Sequence, residues 1–130
     1  MTTVTVLGTG DAGFAMARRL LELGFAVRAW NRTESRARPL EIEGALVFST
    51  AAEAVRAAEV VIVTVFDTPA VLDVLAQIAP ALETNTVVLQ SATVGSAIAE
   101  VLAAGTRLGV TIVDAPFLGN PGPARRGELT

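Results

Sequence analysis

The sequence predicts a three-layer α/β/α fold, in which helices cover both faces of a doubly wound parallel sheet. Three observations lead to this prediction. Short apolar runs alternate with longer amphipathic stretches along the 130 residues, as expected for strands joined by right-handed helical crossovers. The run at 60–65 reads Val-Val-Ile-Val-Thr-Val, which is typical of a central strand buried on both faces. A glycine-rich turn lies between the first apolar run and the first amphipathic stretch.

Each element can be placed along the chain from these patterns. We predict strands at 4–7, 26–30, 46–48, 60–65, 86–89 and 110–114. We predict helices at 11–23, at 32–40 with a break or kink at Pro39, at 50–57, from Thr68 onwards, and at 94–108. Thr50 and Thr68 are expected to cap their helices, because threonine accepts from first-turn amides. The stretch 115–130 is rich in Gly, Pro and Arg and is predicted to be loop.

The composition excludes several classes of chemistry. The chain has no Cys and no His, and all ten basic residues are arginine. A disulfide framework, a zinc site of the usual kind and a Ser-His-Asp triad are therefore excluded, so no metal is expected. The net charge of −3 argues against a nucleic-acid-binding surface. No apolar run is long enough to span a membrane, and no secretory signal is evident, so a cytoplasmic protein is expected.

A glycine motif opens the first predicted helix. Residues 8–13 read Gly-Thr-Gly-Asp-Ala-Gly and directly follow a predicted strand, which is the context that gives G-x-G-x-x-G its value. Gly8 would allow the tight turn, Gly10 would let the backbone approach a pyrophosphate, and Gly13 would let the helix pack on the strand. The open helix N-terminus favours phosphate. This predicts a Rossmann-type fold that binds a dinucleotide.

The end of the second predicted strand indicates which dinucleotide is bound. An acidic residue that binds the ribose hydroxyls of NAD is expected about 20 residues after the glycines, but Asn31, Arg32 and Thr33 stand there. A guanidinium can hold a 2′-phosphate through paired hydrogen bonds. The sequence therefore favours NADP over NAD, with NAD possible. Asp67 lies at the sheet's carboxyl edge, where it could touch the cofactor or cap the next helix.

The chain resembles the N-terminal domain of the β-hydroxyacid dehydrogenase family over nearly all of its length. That family includes 3-hydroxyisobutyrate dehydrogenase, the glyoxylate and succinic semialdehyde reductases and, more distantly, 6-phosphogluconate dehydrogenase and the imine reductases. The motifs that carry the resemblance are 6–13, Asn31-Arg32-Thr33, Ser91, Asp114-Ala115-Pro116 and 123–129.

The resemblance implies hydride transfer between NADP(H) and a small hydroxy acid or aldehyde as substrate. The implied cofactor-binding residues are Gly8, Thr9, Gly10, Asp11, Ala12, Gly13, Asn31, Arg32, Thr33, Val65, Phe66, Asp67 and Ser91. The implied substrate-binding residues are Pro116, Leu118, Gly119 and Asn120. The family's catalytic lysine lies in a later, all-helical domain, and this chain contains no lysine. We therefore expect no catalytic residue within it.

Several residues depart from the family pattern. Leu118 replaces a serine that binds the substrate carboxylate, and Asn120 replaces the last residue of that signature. Ala92 stands where threonine is frequent, and Ala12 where methionine is. Because leucine cannot donate to a carboxylate, an imine-reductase-like enzyme is one alternative. A stand-alone NADP(H)-binding module is another.

The organisation expected from the resemblance is one nucleotide-binding domain over residues 1–130, without the helical catalytic and dimerisation domain. The sheet is expected to be truncated before its last strands, and the chain alone is expected to bind cofactor without turnover. An exposed sheet edge tends to pair with another chain, so a homodimer is possible.

Overall fold

The computed structural model describes residues 2–65, 67–91 and 97–114. Six strands form one sheet in the order β3-β2-β1-β4-β5-β6, and every neighbouring pair is parallel. This is the strand order of a doubly wound dinucleotide-binding sheet. The predicted Rossmann-type α/β fold is confirmed. The further strands expected beyond residue 130 stay a prediction.

The strands are short and close to their predicted positions. They are β1 (Thr3–Leu7), β2 (Ala26–Trp30), β3 (Leu46–Val47), β4 (Val60–Val63), β5 (Val87–Gln90) and β6 (Thr111–Asp114). The α-helices are α1 (Asp11–Glu22), α2 (Ala51–Ala54), α3 (Thr68–Ile78) and α4 (Ile98–Leu108). Three short 3-10 turns complete the described elements, at Glu34–Arg36, Arg38–Glu41 and Ala79–Ala81.

Two apolar clusters cover the two faces of the sheet. The alternation of side chains along β1 sends Val6 into one cluster, with Ala17 of α1, and Leu7 into the other, with Val71 of α3. The second cluster is the larger and includes residues of α2, α3 and α4. Because β4 lies between β1 and β5, Val61 and Val63 are fully buried. The prediction of a central strand is confirmed.

The predicted helix at 32–40 is wrong. The structure has two 3-10 turns, closed by bonds from Ala37 N–H to Glu34 O (2.9 Å) and from Leu40 N–H to Ala37 O (3.0 Å). Pro39 lies at the start of the second turn, where its missing N–H prevents a continuous helical ladder. The two turns bury Ala37 and Leu40 completely, so they hold the β2–β3 connection on the sheet without an α-helix.

Two helix ends also differ from prediction. The cap of α3 is Asp67, whose Oδ1 accepts from Ala70 N–H at 2.9 Å, so Thr68 is the first helical residue. Helix α2 ends at Ala54. There the carbonyls of Glu53 and Ala54 accept hydrogen bonds from Arg28 (2.8 and 3.0 Å). These donors lie far away in the sequence, which is why local patterns did not predict the early end.

Candidate functional site

The glycine loop begins with a turn that only glycine adopts readily. Gly8 has φ +100°, and its amide donates to the Trp30 carbonyl at 2.8 Å. A Cβ at Gly8 would lie 2.9 Å from the carbonyl carbon of Thr64. Both the backbone conformation and the approach to β4 therefore require glycine, as the sequence predicted.

Gly13 permits the close contact between α1 and the loop. A Cβ there would overlap the carbonyl oxygen of Gly8 and would lie 2.5 Å from the Thr64 hydroxyl. That hydroxyl donates to the Gly8 carbonyl at 2.7 Å. Thr64 thus ties the end of β4 to the turn after β1. The loop is held in place by contacts from the ends of two strands, β2 and β4.

Gly10 differs from the other two glycines of the motif. Its φ of −68° and ψ of −170° are accessible to any residue, and a Cβ would meet no heavy atom within 4 Å. Neither the backbone nor the packing of the described residues requires glycine at this position. Gly10 does line the cavity at the sheet edge. Its missing side chain leaves free the surface that a phosphate would approach, so the loop fits a dinucleotide.

The N-terminus of α1 offers uncapped amides beside this open surface. Gly10 is the N-cap and has no side chain to accept from the first turn. The first bond of the helix runs from Phe14 N–H to Gly10 O at 2.8 Å, so the amides of residues 11–13 precede the ladder. In contrast, Thr50 and Asp67 cap α2 and α3. The helix dipole and these amides favour an anion.

Asn31 joins the end of β2 to the glycine loop. Its Oδ1 accepts from the Thr9 amide at 2.8 Å, and its Nδ2 donates to the Thr33 carbonyl at 3.0 Å. Both ends of the side-chain amide therefore make bonds within the protein. The geometry indicates that Asn31 fixes the relative position of two loops, in addition to any contact it makes with a ligand.

Two arginines stand beside the end of β2. Arg32 and Arg36 both line the cavity, together with Thr33. The Arg32 side chain is 72% exposed, and its Nη2 lies 3.7 Å from Oδ2 of Asp73 on α3. No ion pair of Arg36 is found within the part of the chain that the structure describes. The end of β2 therefore carries two guanidinium groups, and the carboxylate of Asp73 lies beside that of Arg32.

These elements enclose a cavity of about 270 Å³ where the strand order changes direction, between β1 and β4. Ligands of open α/β sheets bind outside the carboxyl ends of the strands at such a switch point. The lining residues are Gly8, Gly10, Trp30, Asn31, Arg32, Thr33, Arg36, Thr64, Val65, Ala70 and Val74.

The remaining predicted site residues lie around this cavity or outside the described residues. Thr9 is buried, and its hydroxyl has no hydrogen-bond partner among the described residues, whereas Asp11 is exposed. Asp67 caps α3, the second of the two roles that the sequence left open. Ser91 is buried at the end of β5. Predicted residues that lie outside the described ranges are Phe66, Pro116, Leu118, Gly119 and Asn120.

Sequence reasoning missed three residues of the site. Arg36 follows Arg32 by four positions, and this spacing was a usable signal. Thr64 is the one polar residue of the apolar run 60–65, and this too could have been noticed. Asp73 carried no signal, because α3 brings it near Arg32 only in the folded chain.

The described residues contain neither a metal-binding cluster nor a membrane-spanning helix. No group of three or more acidic side chains could hold a metal ion within the described ranges. None of the helices described here is both long and apolar enough to cross a membrane.

Comparison with known proteins agrees with this geometry. Residues 3–130 match the family described as the NAD binding domain of 6-phosphogluconate dehydrogenase. The chain is 30% identical to a 3-hydroxyisobutyrate dehydrogenase of Mycobacterium tuberculosis, whose structure was solved with L-serine. The TM-score is 0.93, and the match covers 99% of this chain and 45% of that one.

Two curated relatives differ in the cofactor that their names give. An NADPH-dependent reductive aminase of Aspergillus oryzae is 34% identical over 65% of this chain and 29% of its own length. An NAD-dependent L-serine dehydrogenase of Pseudomonas aeruginosa is 32% identical over 100% of this chain and 45% of its own length. The chain thus spans less than half of each of these relatives.

The chain belongs to the family of NAD-binding domains typified by that of 6-phosphogluconate dehydrogenase. Its relatives include dehydrogenases that act on small hydroxy acids and enzymes that reduce imines or form amines reductively. The resemblance read from the glycine motif and the later motifs is therefore confirmed at the level of the family.

Proposed function

We propose that this chain is the NADP(H)-binding domain of an oxidoreductase that transfers a hydride between NADP(H) and a small hydroxy acid or aldehyde. One observation carries the proposal: an uncapped helix N-terminus, a glycine that packing does not require, and two arginines meet around one cavity at the switch point. Each feature suits a different part of the dinucleotide.

The described residues would hold the dinucleotide in three parts. The amides of residues 11–13 and the surface beside Gly10 would receive the pyrophosphate. Apolar side chains that line the cavity from β4 and α3, Val65 and Val74 among them, would contact the adenosine. The guanidinium groups of Arg32 and Arg36, with the Thr33 hydroxyl, would bind the 2′-phosphate. When bound, the nicotinamide supplies or accepts the hydride.

The preference for NADP rests on charge at the end of β2. The position where an NAD-binding domain carries a ribose-binding acid holds Asn31, and both arginines face the same cavity. The named cofactors of the relatives do not decide the matter, since both NADPH and NAD occur among them. The proposal therefore rests on this chain's own residues.

We place the substrate-binding residues and the catalytic lysine implied by the family outside the described residues. We propose that residues 1–130 are one nucleotide-binding domain and that a helical domain supplies the catalytic lysine, because this chain has none. Pro116, Leu118, Gly119 and Asn120 would line the substrate. A substrate without a carboxylate, as in the imine reductases, is a second candidate, favoured by Leu118 and by the match to a reductive aminase.

The test is a fluorescence titration of the chain with NADPH and with NADH. Arg32→Ala should weaken NADPH binding by about 10- to 150-fold, since charged hydrogen bonds contribute about 1.5–3 kcal/mol. It should leave NADH binding within about twofold. Arg36→Ala should act in the same direction. Arg107→Ala is a matched control, because this exposed arginine lies at the far end of α4.

Each result separates the parts of the proposal. Equal affinity of the wild-type chain for the two cofactors would overturn the 2′-phosphate assignment while leaving the dinucleotide site. Failure of the folded chain to bind either cofactor would overturn its role as a binding domain. Turnover of a hydroxy acid or an imine after a family helical domain is added would distinguish the two substrate classes.

A further inference from the structure

A carboxylate stands against the arginine to which we assign the 2′-phosphate. Asp73 lies on α3 between Ala70 and Val74, both of which line the cavity. Its Oδ2 is 3.7 Å from Nη2 of Arg32, which reaches across from the end of β2. The ion pair thus joins two walls of the cavity. Nothing in the glycine motif or in the proposed function accounts for a negative charge at this point.

Asp73 is oriented by its own helix. The Gln77 side chain, one turn further along α3, donates to Oδ2 of Asp73 at 2.8 Å. The same oxygen faces Arg32. An i,i+4 pair of this kind favours one orientation of the carboxylate on the helix surface. The carboxylate therefore has a preferred position beside the guanidinium.

We propose that Asp73 is a specificity-determining residue, which holds Arg32 in the free protein and competes with the 2′-phosphate of NADP(H) for it. This inference rests on the proposed function of the same site. NADPH has to displace the Asp73 carboxylate from Arg32, and it brings its dianionic 2′-phosphate close to that carboxylate. NADH has no 2′-phosphate and does neither. Asp73 consequently reduces the preference for NADPH that Arg32 and Arg36 create.

The solvent exposure of Arg32 and Asp73 limits how strongly their ion pair can reduce NADPH affinity. The two side chains are 72% and 56% exposed, and exposed ion pairs contribute little because water and salt screen them. The competition should therefore change NADPH affinity by about two- to fivefold at low ionic strength. It should weaken further as salt is added, since the Debye length falls to about 3 Å at 1 M.

The experiment compares Asp73→Asn with wild type in titrations with NADPH and NADH at low and high salt. Asparagine keeps the shape of the side chain and removes its charge. We expect NADPH binding to tighten by about two- to fivefold and NADH binding to change by less than about 1.5-fold. Glu83→Gln is the matched control, because it also removes one negative charge from an exposed residue. Glu83 lies in the turn before β5, at the amino ends of the strands, whereas the cavity lies at their carboxyl ends.

A double substitution tests whether Asp73 acts through Arg32. With Arg32→Ala already present, Asp73→Asn should tighten NADPH binding by clearly less than it does in wild type. An equal gain in both backgrounds would overturn the competition. So would unchanged NADPH affinity in Asp73→Asn, or an equal gain in Glu83→Gln.

Failure of this inference is distinguishable from failure of the proposed function. If Arg32→Ala lowers NADPH affinity selectively while Asp73→Asn changes nothing, the 2′-phosphate assignment stands and the role of Asp73 is overturned. If Arg32→Ala has no selective effect, the assignment itself fails, whatever Asp73→Asn does.

Discussion

Glycine occupies the three positions of the loop for different physical reasons, and substitutions at Gly10 and Gly13 should therefore have different effects. Gly13→Ala places a Cβ against the Gly8 carbonyl oxygen, so we expect a loss of about 1–3 kcal/mol or more in the free energy of unfolding. In Gly10→Ala the added methyl group has no heavy atom of the described residues within 4 Å, so stability should change by less than about 1 kcal/mol. Its cofactor affinity should nevertheless fall about tenfold or more, because the methyl group occupies the phosphate approach.

Chemical denaturation and cofactor titration of both variants check this prediction. Wild-type affinity in Gly10→Ala would show that the phosphates do not approach this residue. A wild-type free energy of unfolding in Gly13→Ala would show that α1 can move away from the loop without cost.

Asn31 gives a second prediction at the residue scale. Because its amide bonds Thr9 and Thr33, Asn31→Ala should weaken NADPH and NADH by similar factors, about fivefold for one lost bond of about 1 kcal/mol. Hydrogen exchange of the Thr9 amide should accelerate at the same time. A loss confined to NADPH, with unchanged exchange, would instead make Asn31 a direct ligand of the 2′-phosphate.

At the scale of elements, local sequence patterns predicted the strands and the helix cap that depend on burial and on neighbouring residues. The apolar runs at 4–7 and 60–65 predicted two strands to within two residues of β1 and β4, because burial in the sheet determines the apolar pattern. The order of elements followed from the same alternation. Thr50 caps α2 as predicted, since its Oγ1 accepts from Glu53 N–H at 3.1 Å.

One error arose where distant residues contribute, and the other where the missing amide of Pro39 interrupts a helical pattern. Helix α2 stops early because Arg28 of β2 bonds its last carbonyls. The 32–40 segment forms two 3-10 turns, the second of which contains Pro39, and the buried side chains of Ala37 and Leu40 hold the segment on the sheet. Within the site, Gly8, Gly13 and Arg32 were predictable from motif spacing. The hydrogen bond from Thr64 to the Gly8 carbonyl depends on the pairing of β1 with β4. The approach of Asp73 to Arg32 depends on the docking of α3. Motif spacing predicts neither contact.

The two 3-10 turns carry a pH-dependent contact. Arg38 bonds Glu34 at 2.9 Å and Glu41 at 2.8 Å. The hydrogen bond from Arg38, followed by one from Ser49, lowers the pKa of Glu34 below its usual value. A lowered pKa in the folded state means that Glu34 stabilises the fold above its unfolded pKa and that this contribution is lost as the pH falls through the folded pKa.

We therefore expect Glu34→Gln to reduce stability at neutral pH, with a difference from wild type that disappears under acid conditions. Arg38→Met should move the carboxyl titration of Glu34 upwards, towards the ordinary range, in an NMR pH series. A stability difference that is constant across pH would show that Glu34 acts through its shape, and not through its charge.

At the scale of the whole molecule, the site joins elements that the fold itself must bring together. Its residues come from the ends of β1, β2 and β4 and from α3, which belong to both apolar faces of the sheet. The unfolded chain cannot assemble this set. Cofactor binding therefore has to be linked to the global folding equilibrium, and not only to local ordering of a loop.

This linkage predicts the thermal behaviour of the chain. At a free NADPH concentration of 100 times Kd, the folded state gains about 2.7 kcal/mol, which corresponds to a rise in Tm on the order of 10 °C for a domain of this size. The rise should grow with the logarithm of NADPH concentration and should be smaller in Arg32→Ala. Differential scanning fluorimetry with a dye outside the NADPH emission range measures it. If titration shows binding but the Tm stays constant, NADPH must bind the unfolded chain equally well. That result would contradict a site built from the ends of β1, β2 and β4 and from α3.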